Sequence, residues 1–289
     1  MQFRTIAILM VALAITGCAS LPAVGSFSTD TVELADSVDR IAQDTSASCL
    51  RRLALDVPIK GIGDDKRQQY ADACSQLKQS SDLFIELNAT TRAYGKVLGQ
   101  LADNKLVSFD SEVEGVKGAI SKIRNGAGSP YYEPVQLNAV GSLADVVLQA
   151  ASDAYRQREI RRVLDHHEDL VQLAGVLSAF ITRAYLPVLA NETGNLDSLE
   201  EILNDRFVST KLEPLRAREL LELLRQQRAN LAERKKAAGD ALNAITRMVE
   251  VHSQLVQNAD KLDDKTLIEL VRDYGRRIRD VRKQIQSSF

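Results

Sequence analysis

DKTLIELVRDYGRRIRDVRKQIQSSF, residues 264–289, is the stretch that decides the fold class. Leu267, Val271, Tyr274, Ile278, Val281 and Ile285 follow one another at steps of four, three, four, three and four. That spacing draws one narrow apolar seam down a helix, the pattern of coiled-coil packing, and Asp263 or Asp264 stands where an N-cap belongs. The same three-and-four recurrence continues upstream. From Pro214, at a typical first-turn position, a helical run extends to about Gln257, roughly 65 Å at 1.5 Å per residue. Leu224, Leu231, Ala238, Ile245 and His252 fall seven apart, with Ala241, Met248 and Leu255 on a companion seam. Arg225 to Asp240 is poor in apolar residues and reads as a partly solvated arm or the waist of a bundle.

Further upstream, Val135 to Tyr185 is helical in pattern, with a possible break near Asp165. Pro187 and the Asn191–Asn195 cluster then predict a stop, followed by a short acidic helix from Leu196 to Phe207. Asp110 can cap a short helix ending near Asn125, and residues 126–134 form a loop and a possible sub-boundary. Asp64 to Asp103 carries a broad stripe of Leu77, Phe84, Leu87, Tyr94, Leu98 and Leu101. Thr29 or Asp30 can cap a first helix through Ile41. Strand alternation is nearly absent. The expected class is all-α, an elongated helical bundle of long antiparallel, coiled-coil-like helices over residues 30–289.

Composition narrows the function classes. The chain has 289 residues, 37 basic and 39 acidic side chains, a net charge of −2, and 45% hydrophobic residues. A balanced charge argues against binding nucleic acid, whose phosphates demand a basic surface, and the apolar content argues against disorder. There is no Trp, and only 7 Tyr and 7 Phe, so stacking platforms for bases or sugars are not expected.

The first residues carry an address. Met1-Gln2-Phe3-Arg4 supplies a positive charge, and Thr5 to Ile15 is an apolar run too short to span a bilayer. It ends in Ile15-Thr16-Gly17-Cys18, which resembles the lipobox of bacterial lipoproteins. The match covers about 18 of the 289 residues. The resemblance implies a signal peptide over residues 1–17, cleavage after Gly17, and acylation of Cys18, the palmitate-type anchor through which membrane lipid becomes a partner. Ala19 stands where that family commonly has the Asp that retains lipoproteins at the inner membrane. The resemblance therefore implies an outer-membrane, periplasm-facing protein. Residues 18–29, with turn formers and no charged side chain, read as the lipidated tether.

Cys49 and Cys74 remain, an even number for an oxidising compartment. The turn-forming stretch Val57–Asp65 lies midway between them, so a disulfide would staple the two arms of a helical hairpin. Two buried free thiols are the other reading.

Signals for chemistry are sparse. Asp165, His166 and Asp169 could share a helix face as a weak divalent site, although a solvated face is the plainer reading; adjacent His166 and His167 point about 100° apart. His252 lies on an apolar seam and reads as a packed residue. Ser75-Gln-Leu-Lys78 matches Ser-x-x-Lys, but the companion Ser-Asp-Asn and Lys-Thr-Gly elements are missing. Paired carboxylates such as Glu200-Glu201 suit helix starts. No catalytic, cofactor or metal site is expected, and the chain does not read as an enzyme. Arg272, Arg276, Arg279, Arg282 and Lys283 form a possible interaction face on the last helix. Its apolar seam could also join a second copy.

The expected function is a non-enzymatic scaffold or adaptor that meets another envelope protein. The alternatives are a membrane-active protein that inserts an apolar hairpin around Leu173–Ile181, or an envelope hydrolase.

Overall fold

The computed structural model describes residues 21–60, 63–103, 110–125, 131–151, 156–208 and 214–289. Cys18 and the rest of the lipobox lie outside them. All the regular structure among the described residues is helical.

Two long helices form the first hairpin: α1 (Pro22–Lys60, 39 residues) and α2 (Asp64–Asp103, 40 residues). They run antiparallel. Ser28 donates to the Gly95 carbonyl, Asn88 donates to the Ala35 carbonyl and to Asp39, and Cys49 faces Cys74. The two cysteines stand at disulfide distance, 2.06 Å between sulfurs with Cα atoms 5.5 Å apart, and staple the hairpin as its spacing predicted.

The start of α1 departs from the sequence reading. Residues 22–29 are not tether but the first two turns of the helix, and its other end lies well beyond Ile41. Pro22 is tolerated in a first turn because no intrahelical partner exists for an N–H there. Ala23, Val24 and Phe27 are fully buried, with Phe27 packed on Tyr274 and His252 at ring separations of 5.7 and 5.9 Å. The small residues that suggested a tether serve close helix packing instead. A Cβ at Gly95 would sit 2.9 Å from Val32 Cγ2 and 3.0 Å from the Ser28 carbonyl. Only a glycine lets the two backbones approach so closely.

Next come α3 (Asp110–Arg124), α4 (Pro134–Ala151), α5 (Arg156–Leu164) and α6 (His167–Phe180). The break expected near Asp165 is present, between α5 and α6. The helices before and after residues 126–133 contribute to one core, α3 through Val113 and Val116, α4 through Val140 and Leu143. Phe84 of α2 stacks on Phe180 of α6 with centroids 3.9 Å apart.

The predicted stop at Pro187 does not occur. From α6 the chain passes through a π-helical turn, Ile181–Tyr185, directly into α7 (Leu186–Val208). The Leu186 N–H reaches back to the Ile181 carbonyl, so the hydrogen-bond register widens one residue before the proline that cannot donate. Turn formers at 191–195 are overridden by burial: Leu189, Leu196 and Leu199 are wholly inside. Tertiary packing of one face outweighs the few tenths of a kcal/mol per residue that propensity opposes.

Two helices complete the bundle: α8 (Pro214–Gln257, 44 residues) and α9 (Lys265–Ser288). Asp264 caps α9, its carboxylate accepting from the Thr266 and Leu267 N–H groups at 2.8 and 3.2 Å. α9 packs antiparallel to α8 and alongside α1 in the same direction, with Tyr274 against Phe27 and Arg282 paired to Glu33. Its seam, Leu267 through Ile285, is buried within the chain. A second copy would have to use another surface.

Candidate functional site

The start of α1, the end of α2 and the first half of α9 meet at one end of the bundle, its foot. Between them lies a cleft of about 500 Å³ bordered by Pro22, Ser26, Asp30, Asp103, Arg272 and Arg279. Asp30 is 7% exposed and packs against Gly275, where any Cβ would collide with its carboxylate. Burial raises its pKa to about 6, against the pull of Arg279, and Glu33 pushes the same way.

The five basic residues singled out on α9 are all exposed, but the fold divides their partners. Arg282 pairs with Glu33 of α1 at 2.9 Å, and Arg276 with Asp273 at 3.0 Å, where Arg277 joins it at 3.3 Å. Those guanidinium groups hold the Asp273 carboxyl below its usual range. Arg272 and Arg279 border the foot cleft, and Lys283 lies toward the other end of the helix.

The histidine cluster separates. His166 Nδ1 lies 2.8 Å from Asp169 Oδ2, which also accepts from Ser142. His167 stacks on His252, their Nδ1 atoms 2.9 Å apart, and His252 Nε2 meets the Tyr94 hydroxyl. His252 is fully buried, as its seam position predicts, and burial followed by the neighbouring His167 pushes its pKa down to about 3. The ring is neutral and its polar atoms are used in packing. Among the described residues no three His, Cys, Asp or Glu side chains converge as metal ligands. Ser75 and Lys78 are exposed on α2, Lys78 paired with Asp82 at 2.6 Å.

Leu173, Val176, Leu177 and Phe180 are core residues. The helix spanning His167–Asp205 is long and apolar enough to cross a membrane by length and composition, with mean hydropathy 1.6, but half of that window is buried inside the bundle.

One cluster escaped the sequence reading. Asp44 and Glu192, both nearly fully buried, receive Arg51 at 2.7 and 3.1 Å, and Ser48 donates to Glu192. The Tyr185 hydroxyl, at the end of the π turn, donates to Asp44 at 2.9 Å. Arg234 lies 3.7 Å from Asp44, donates to the Ser288 carbonyl at 3.1 Å, and has the Phe289 ring over its guanidinium. Desolvation would weaken the Arg51 charge, but hydrogen bonds to Asp44 and Glu192 outweigh it and raise its pKa. Two cations and two carboxylates thus tie α1, α7, α8 and the end of α9 into one register, a use for which buried ion groups are best attested. A signal was present: Asp44 and Arg51 are seven apart on one face, and Arg234 stands on the Leu231–Ala238 seam, where a charge needs a partner.

Comparison with known proteins found no family model that matches the chain, and no curated protein or solved structure similar to it.

Proposed function

We propose that this chain is a lipoprotein anchored through acylated Cys18 in the outer membrane, facing the periplasm, and that it serves as a non-enzymatic helical scaffold or adaptor for another envelope protein. The observation that carries the reading is Ile15-Thr16-Gly17-Cys18 at the end of a short apolar run. The Cys49–Cys74 pair at disulfide distance suits an oxidising compartment. Helices of 39 to 44 residues, with charged outer faces, suit a protein that bridges rather than encloses. The exposed basic residues of α9 offer a partner both charge and guanidinium donors.

Mass spectrometry of the full-length protein extracted from envelopes tests the anchor. A mature chain beginning at Cys18 with the added mass of acyl chains is expected, and Cys18→Ser should lose both processing and mass. A chain that starts elsewhere, without acyl mass, overturns the reading. Site-directed crosslinking at Lys283 and Arg276 tests the adaptor role: recurrent capture of one envelope protein is expected, and capture of lipid alone argues against it.

A further inference from the structure

The foot cleft carries two acids, the buried Asp30 and the exposed Asp103, and two exposed bases, Arg272 and Arg279. Asp30, only 7% exposed, makes no hydrogen bond or ion pair among the described residues, and the attraction of Arg279 does not offset its burial. A carboxylate desolvated this far gains from a cation that donates N–H groups directly to its oxygens, which Arg279 does not do. Arg272 and Arg279 stand on the same cleft, and guanidinium groups suit phosphate oxygens. A divalent metal fits poorly, because it requires six or more oxygen ligands and would face two guanidinium charges. A quaternary ammonium fits poorly as well, since it has no N–H to donate and the cleft has no aromatic lining.

We propose that this cleft binds the headgroup of a phospholipid carrying a primary ammonium, of the phosphatidylethanolamine type, with the ammonium on Asp30 and the phosphate between Arg272 and Arg279. The hydroxyl of Ser26 borders the same space. The lipid source rests on the anchor proposed above. Three residues separate Cys18 from Pro22, and four residue steps reach at most about 14 Å. With the helix beginning at Pro22 rather than Asp30, an acylated Cys18 brings the foot to the headgroup layer. The cleft then fixes how the bundle stands on the membrane.

Native mass spectrometry tests this on the full-length protein in mild-detergent micelles, loaded with equal phosphatidylethanolamine and phosphatidylcholine. At least tenfold more phosphatidylethanolamine adduct is expected. Asp30→Asn should bring the two lipids to parity, Arg279→Gln should weaken both, and Ser26→Trp, a substitution at an exposed position, should abolish adducts by filling the cleft. Equal adducts on the parent protein, or a preference that survives Asp30→Asn, overturns the proposal. Displacement by millimolar inorganic phosphate alone overturns the lipid source. Each variant is scored only where its thermal melt remains cooperative; Ser26→Trp serves as the test if Asp30→Asn does not fold. Acylation of Cys18 persists as covalent mass after the adducts are stripped, so failure of the anchor and failure of the cleft are read separately.

Discussion

The foot of the α1–α2 hairpin and its tip are built from the same two helices but held by different physics. In the foot, Ala23, Val24, Phe27, Leu34, Val38 and Ile41 are wholly buried against α2, α8 and α9. In the tip, from Gly63 to Ser80, Cys74 is the single buried residue, while Leu50 is 53% exposed and Tyr70 lies under the Arg52 guanidinium at 5.6 Å. On the α2 arm of the tip, whose side chains are mostly out of the core, the cysteine pair ties the arm to α1 in place of apolar packing. Beside Cys49, α1 itself is held by Glu192 of α7. The foot draws stability from apolar area removed from water, at roughly 25 cal/mol per Å². The tip depends on restricting the unfolded chain.

The largest effect expected from breaking this contrast is in the packed region. Leu177→Asp places a charge among fully buried apolar residues and should cost more than about 4 kcal/mol, seen as loss of the cooperative melt. A Leu177→Asp protein that stayed folded would show that this segment is not core. The reading also expects the parent protein to release no dye from vesicles.

Cys74→Ser comes next. Opening a loop with a separation of 25 residues should cost at most about 3.5 kcal/mol in the chain-entropy model. The loss should be local: amide exchange should quicken across residues 49–75 and stay slow near Phe27 and Tyr94. Uniform loss of protection would mean that tip and foot form one cooperative unit.

Acid titration sharpens the picture inside the foot, where two groups act with opposite sign. His252 has a folded pKa near 3 against an ordinary 6.5, so its stability contribution is complete above 6.5 and is lost as pH falls toward 3. Between pH 7 and pH 5 that amounts to about 2 kcal/mol. Asp30, raised to about 6 from 3.8, penalises the native state at neutral pH and relieves it as pH falls from 6 toward 4. Urea unfolding at pH 7 and pH 5 should therefore show a steeper acid loss in Asp30→Asn, with higher stability at pH 7. In His252→Phe the acid loss should flatten or reverse. Unchanged slopes in both would remove the electrostatic account of the foot.

The smallest effect is at the start of α9. Asp264→Ala removes a cap that accepts two N–H groups and should cost about 1 kcal/mol by thermal melting, without altering the tip.

Much of this architecture was legible because periodicity reports directly which face of a helix leaves water. The limits of α2, α8 and α9 and the hairpin staple follow from spacing, caps and the cysteine positions. The foot cleft was half legible: Arg272 and Arg279 stood out as charges on a basic helix, whereas Asp30 read as a cap. Its burial depends on Gly275, which is 245 positions away in the sequence and admits it by lacking a Cβ.

The sequence by itself determined the all-α class, the apolar seams and the position of the cysteines, because each is a local pattern of side-chain chemistry along one helix. Tertiary structure alone decided that α1 begins at Pro22, that the chain runs helically through Pro187, and that Asp44, Arg51, Glu192 and Arg234 meet. In each case burial against a distant helix outweighs a weak local preference. Local preferences amount to fractions of a kcal/mol per residue, whereas a buried leucine or phenylalanine contributes roughly 1.5–3 kcal/mol.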